Sequence, residues 1–243
     1  MKRLPLPTLL LLLAACAHAP ATSPAARNVE ILQPGGEEDA ALQVARVLPD
    51  ALGRVERWGS LPGPVVVRIQ PTALALAAAA GRPGDTWLRG WARPGSVDLQ
   101  SPRTWSRGRA SDAAVATLLS HELTHCLLFQ RIGGDWARRD VPPWFEEGMA
   151  SFTAGERHAR ADASALAPPS AGRPLDAALA YGTADRAFRY LVARHGEDSV
   201  RGVLDGLAGG QGFASAFQGA TGSTVGAFEE ALRAHLRAAT AIR

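Results

Sequence analysis

The segment DAAVATLLSHELTHCLLFQRI, residues 112–132, constrains the fold more than any other stretch of the chain. Val115, Leu118, Leu119, Leu123, Leu127, Leu128 and Phe129 recur on every side of a helix, so this one is predicted to be buried nearly all round. Ser111 stands where an N-cap belongs, and the Gly133-Gly134 pair where such a helix stops. Inside the apolar run lie His121, Glu122 and His125. Two imidazoles and a carboxylate in that setting are costly unless something satisfies them. Residues four apart share one helix face, about one turn along the axis. His121 and His125 therefore present their rings side by side, as two histidines do when they bind one zinc ion. Glu122 sits about 100° round the helix from His121. It is close to such an ion but outside its ligand shell, which suits a general base acting on a metal-activated water.

The rest of the chain reads as strands first and helices later, the pattern of an α+β fold. NVEIL offers a short strand, and EEDAALQVARVLPDALGRVERWG a helix with Leu42, Leu48, Leu52 and Val55 on its apolar side. Pro49 is expected to kink or break that helix. PVVVRIQ is the clearest strand, β-branched and bounded by proline. The alanine-rich TALALAAAA is a helix, and TWLRGWARPGSVDLQ two strands about an Arg-Pro-Gly turn. After the motif helix, PPWFEEGMASFTAG starts with proline as helices often do. ERHARADASALAPPSAGRP is a surface loop by composition. YGTADRAFRYLVARHG and TVGAFEEALRAHLRAA complete a helical C-terminal half, with GGQG at 209–212 a turn between them.

A catalytic zinc site normally takes three protein ligands, and the third should lie downstream of His125. Trp144, Glu147, Gly148 and Ala150 form W-x-x-E-G-x-A after H-E-x-x-H, which resembles the gluzincin metallopeptidases. The resemblance implies that Glu147 completes the zinc set with His121 and His125. Glu146 competes for that place, since it projects from the same helix. The 22 positions from His125 to Glu147 exceed by a few the gap in the aminopeptidase branch, an excess that an insertion at RIGGDWARRD would supply. Gly148 is expected to let its helix approach the motif helix closely. The layout from about Asn28 to the C-terminus is similar to the bacterial peptidase MA-like families. A zincin-like domain over residues 28–243 is implied, with zinc as cofactor and a peptide or protein as substrate. Tyr181, opening the helix after the loop, would by the same resemblance donate a hydrogen bond to the tetrahedral intermediate, as a tyrosine does in several gluzincins; an amphipathic tyrosine at a helix start is the alternative. A strand within residues 86–100 would pair with the substrate backbone.

Other chemistry-bearing residues read more plainly. His195 precedes Gly196 at a helix end, His158 and His235 read as surface residues, and Cys126 as a small buried one, with a metal or redox role as the alternative. Trp87 and Trp91, four apart, either line the cleft or pack in the core. MKRLPLPTLLLLLAACAHAP reads as an export signal over residues 1–15. Leu13-Ala14-Ala15-Cys16 resembles the bacterial lipobox, with Cys16 lipidated; a plain secretory signal is the alternative. Residues 16–27 form a tether, and Ala17 in place of aspartate favours the outer membrane by resemblance to sorting rules. Without Lys2 and Arg3 the chain carries 24 basic residues against 23 acidic ones, so no basic stripe argues for nucleic acid. Two further readings remain open: a zinc-stabilised envelope protein that binds or scaffolds without catalysis, and an amidase acting on cell-wall peptides.

Overall fold

The computed structural model describes residues 28–105, 108–133, 140–166 and 176–241. The export signal, Cys16, the tether and most of the RIGGDWARRD segment lie outside these residues. Among the described residues, no helix is long and apolar enough to cross a membrane. The fold is α+β, with one four-stranded sheet and a predominantly helical second half.

The sheet is built from β1 (Val29–Leu32), β2 (Val65–Gln70), β3 (Gly90–Arg93) and β4 (Ser96–Gln100), in the order β1-β2-β4-β3. β1, β2 and β4 run parallel, with Val29 opposite Val65 and Val67 opposite Val97. β3 is antiparallel to β4 and is an edge of the sheet among the described residues. Strand alternation sorts β4. Val97 and Leu99 enter the main apolar core, whereas Asp98 turns to polar partners, Arg93 Nη1 at 2.6 Å and Gln70 Nε2 at 2.9 Å. Helix α2 (Ala73–Ala79), capped by Thr72, lies beside β2 and β4, and Arg93 reaches its Ala79 carbonyl.

Helix α1 (Glu38–Val55) departs from expectation twice. Leu42 is 65 % exposed, and the buried stripe is Ala40, Val44, Val47, Leu48, Ala51, Leu52 and Val55. Six residues separate Leu42 from Leu48, about 240° round a helix, so the two point to different sides. Pro49 does not end the helix, which runs through it as one element. The proline is on the exposed side, and the lost hydrogen bond, about 3 kcal/mol with the ring clash, is offset by core burial of the turns on either side of it.

Helix α3 (Asp112–Ile132) carries the motif and behaves as predicted. Ser111 Oγ accepts from the Ala114 amide at 3.2 Å, and Gly133, at φ 61°, ends the helix. Its buried hydroxyls are satisfied internally: Ser120 donates to the Ala116 carbonyl and Thr124 to that of Ser120, each at 2.7 Å. Helix α4 (Pro143–Ala154) packs on α3 and on α5 (Ala177–Ala208), a helix broken at Gly196, where φ is 79°. His195 sits at this break, as expected. Helices α6 (Phe213–Thr221) and α7 (Val225–Ala241) close the molecule. Trp144 joins α4 to α7: its ring stacks on Phe228 at 5.0 Å and its Nε1 donates to Glu229 at 3.0 Å.

Gly148 does serve a close approach, but to a different partner from the one expected. A Cβ there would overlap the Ala184 carbonyl and press on Phe188, so the glycine seats α4 against α5, not against α3. Gly148→Ala should therefore destabilise the fold by about 1–3 kcal/mol. Gly219→Ala, at an open helical position with nothing within 4 Å, should stabilise it by up to about 1 kcal/mol. Urea unfolding of the two variants checks the contrast.

Candidate metal centre

The motif helix and α4 bring three donors together. Glu147 Oε2 lies 3.4 Å from His121 Nε2 and 3.5 Å from His125 Nε2, and one donor atom from each of the three residues lies within 4.8 Å of the others. Donors about 2.0–2.1 Å from one ion at tetrahedral angles stand about 3.3–3.4 Å apart, so the carboxylate is spaced from both imidazoles as co-ligands are. Glu147 Oε2 is buried and makes no hydrogen bond, so its lone pairs face the two rings without a formed partner. Nitrogen and oxygen donors of this kind suit a divalent metal ion, and the group can hold one. Glu146, the competing carboxylate, stands 3.7 Å from His125 Nδ1, on the other nitrogen of that ring.

Helical geometry explains why the set forms. The His121 and His125 rings are 4.9 Å apart on one face of α3, each residue only 7 % exposed. Phe129, one turn further, stacks on His125 at 5.7 Å and fixes its plane. On α4, Trp144 is anchored in the aromatic cluster three residues before Glu147, so the carboxylate emerges on the side facing α3.

Electrostatics follow from burial and mutual approach. Burial pulls the His121 imidazole down, but Glu147 and Glu156 outweigh it and hold it well above its ordinary value. For His125 the pull of burial is likewise overcome, chiefly by Glu147. Burial would raise the Glu147 carboxyl, yet His125 and His121 hold it well below the usual carboxylate range. Glu122 is 7 % exposed, and burial pushes its carboxyl up, with the imidazoles offsetting only part. It is adjacent to the donor set without belonging to it.

β3 crosses over this carboxylate. A Cβ at Gly90 would overlap the Glu122 side chain, so the strand reaches this carboxylate only because residue 90 is glycine. Tyr181, in the first turns of α5, has its ring 6.2 Å from that of His121. Burial, reinforced by the surrounding carboxylates, pushes its phenol up, so it stays a protonated donor.

Sequence reasoning missed Glu156. The segment after α4, expected to be plain surface loop, returns across the site: Glu156 Oε1 lies 3.3 Å from His121 Nδ1. Burial opposes ionisation of Glu156, but His121 leads the contacts that bring its carboxyl down to about 2. Arg189 Nη2 donates to the Glu156 carbonyl at 2.8 Å, and Thr183 Oγ1 accepts from the Asp162 amide at 3.0 Å. Gly182 lets the segment pass, because a Cβ there would overlap the Arg160 carbonyl. His158, read as a surface residue, is half-buried instead, 3.1 Å from Glu156 Oε2 and with its ring parallel to that of Tyr181. The signal available was the acid directly after the helix-ending Gly155, but only tertiary contact gives it meaning. Cys126 has no metal-binding geometry: it is fully buried, 3.1 Å from the Arg93 carbonyl, and burial pushes its thiol up. Trp87 precedes β3 and is 51 % exposed, whereas Trp91 lies within β3 with the Arg82 guanidinium over its ring. His235 is exposed, as expected.

Comparison with known protein families, with curated proteins and with solved structures returns no significant match.

Because both imidazoles hold protons more tightly here than in an unfolded chain, protons compete with a metal. Affinity should rise with pH through a range above 6.5 rather than centred on it. In the metal-free chain, the stability these histidines contribute is complete below 6.5 and lost as pH rises through their raised values. That of Glu156 is present above 4.5 and lost as pH falls towards about 2. Chelator competition and melting curves between about pH 3 and pH 9 check both signs. Glu156→Gln should weaken metal binding by about 10–100-fold, read by the same competition with circular dichroism as the control for folding.

Proposed function

We propose that this chain is a zinc metallopeptidase with a gluzincin-like, zincin-type domain, tethered to the bacterial cell envelope through a lipidated Cys16. The observation that carries the reading is the placing of Glu122. A buried carboxylate stands beside a two-histidine, one-glutamate donor set, is no part of it, and lies against an open sheet edge. A purely structural metal site has no need of that group.

His121, His125 and Glu147 would hold the ion, with the Glu156 carboxylate, 3.3 Å from His121 Nδ1, as a charged neighbour behind that ring. Zinc, when bound, supplies Lewis acidity and makes water a nucleophile near neutral pH. Glu122 takes the proton of the attacking water and delivers it to the leaving amine. Its raised carboxyl suits a base working nearer neutrality than an ordinary glutamate. Tyr181, held protonated, donates to the oxygen that gains charge at the scissile carbonyl. β3, the edge strand among the described residues, would pair with an extended peptide, which would then cross directly over Glu122. An exported, outer-membrane location and a peptide or protein substrate belong to the same reading.

Glu122→Ala should keep zinc and lose turnover by at least about 100-fold, whereas Glu147→Ala should weaken zinc binding itself. The test is incubation of the zinc-loaded full chain with a diverse peptide mixture, new termini being read by mass spectrometry and zinc by elemental analysis. Cuts that persist in Glu122→Ala would remove the mechanism. Zinc bound in both proteins without any cuts would favour an envelope protein that binds and does not cleave.

A further inference from the structure

A cavity of about 690 Å³ opens beside the metal centre, sharing Glu147 and Tyr181 with it. That volume falls within the roughly 300–1,000 Å³ of pockets that enclose small ligands, and far exceeds what a glycine or alanine side chain fills. Trp87 forms one lip, and Trp144, Pro142 and Leu166 form walls. Ala177, Ala180 and Ala184 supply the floor from α5. Their spacing of three and four puts them on one helix face together with Tyr181, so the space exists because that face carries methyl groups.

Of the charges at the cavity, Glu147 faces the two imidazoles, and the others are paired with one another or with neighbours. Arg82 Nε is 2.6 Å from Asp85, and Arg233 Nη2 is 3.0 Å from Glu229, which also accepts from Trp144 Nε1 at 3.0 Å. The Thr183 hydroxyl donates within its own helix, to the Leu179 carbonyl at 2.8 Å. A charged side chain entering here would lose water without meeting an unengaged partner of opposite sign, whereas an apolar one exchanges water for tryptophan, leucine and proline surface.

The geometry points to this cavity as the specificity pocket of the site, taking a large apolar side chain, aromatic or branched aliphatic, from a peptide next to the bond that is cut. The inference rests on the peptidase reading, and its test separates the two.

Two sets of peptides serve, differing only in Phe, Leu, Ala or Glu at one position on either side of a single cleavable bond. With the zinc-loaded full chain, kcat/KM should favour Phe or Leu over Ala and Glu by at least about tenfold at one of these positions. Ala177→Phe, which fills the floor, should cut that ratio at least tenfold, and Trp87→Ala, which opens an exposed lip with little demand on folding, should lower it too. Independently of turnover, acetyl-Ala-Ala-Phe-Ala-Ala-amide should change the tryptophan fluorescence of Glu122→Gln, the all-alanine peptide should do so at least tenfold more weakly, and Ala177→Phe should abolish the difference. Turnover without the preference, or with a preference that neither variant changes, overturns the pocket and leaves the peptidase. Phe-dependent binding without turnover supports the pocket and removes the peptidase. Binding of dodecanoate in place of the peptides, or no binding and no turnover, overturns the inference.

Discussion

The approach of Glu147 Oε2 to the Nε2 atoms of His121 and His125 sets the terms for the rest of the molecule. Three groups that water would otherwise solvate are brought together inside helices that are apolar on nearly all sides. Their cost is tolerable only if they satisfy one another or share an ion. In the metal-free arrangement they lean on each other, the imidazoles held above and the carboxylate held below their ordinary values. A metal ion held there would replace that mutual charging with coordination, and the spacing of Glu147 from both imidazoles fits it.

Much of the architecture can be understood as a means of holding α4 at the right height on α3. Gly148 lets α4 sink onto α5, Trp144 fixes its start to α7, and the aromatic cluster of Phe145, Phe188, Phe213 and Phe217 fills the space between. From the other side, α5 ties down the segment that follows α4 through Arg189 and Thr183, and so presents Glu156 to His121. One long helix thus supports both ends of α4 and supplies Tyr181. The sheet contributes less mass but a specific contact, since its edge strand passes over Glu122 at Gly90.

The order of elements apart from α6, the capping of α3 by Ser111, the strand at 65–70 and the turn between β3 and β4 were legible because each depends on neighbours in sequence: side-chain period, caps and turn residues. So was the pairing of His121 with His125, a consequence of helical pitch alone. Leu42 shows where a list of apolar residues fails without its angles, and Pro49 shows tertiary burial overriding a local helix breaker. Glu156 and His158 were hidden in a stretch whose composition is that of a surface loop. Their importance comes from residues on α3 and α5, which a local pattern cannot register.

By itself, then, the amino-acid order determined two histidines on one buried helix face, a carboxylate beside them, and a downstream helix carrying Glu146 and Glu147. Which carboxylate turns to the rings was decided by the way Trp144 and Gly148 seat α4 against α7 and α5. The second partner of His121, the glycine over Glu122 and the alanine-floored cavity were decided in the same way. The physical reason is common to all of them. Helical period acts over a few residues and is written in sequence, whereas the depth at which two helices pack depends on shape complementarity between surfaces far apart along the chain.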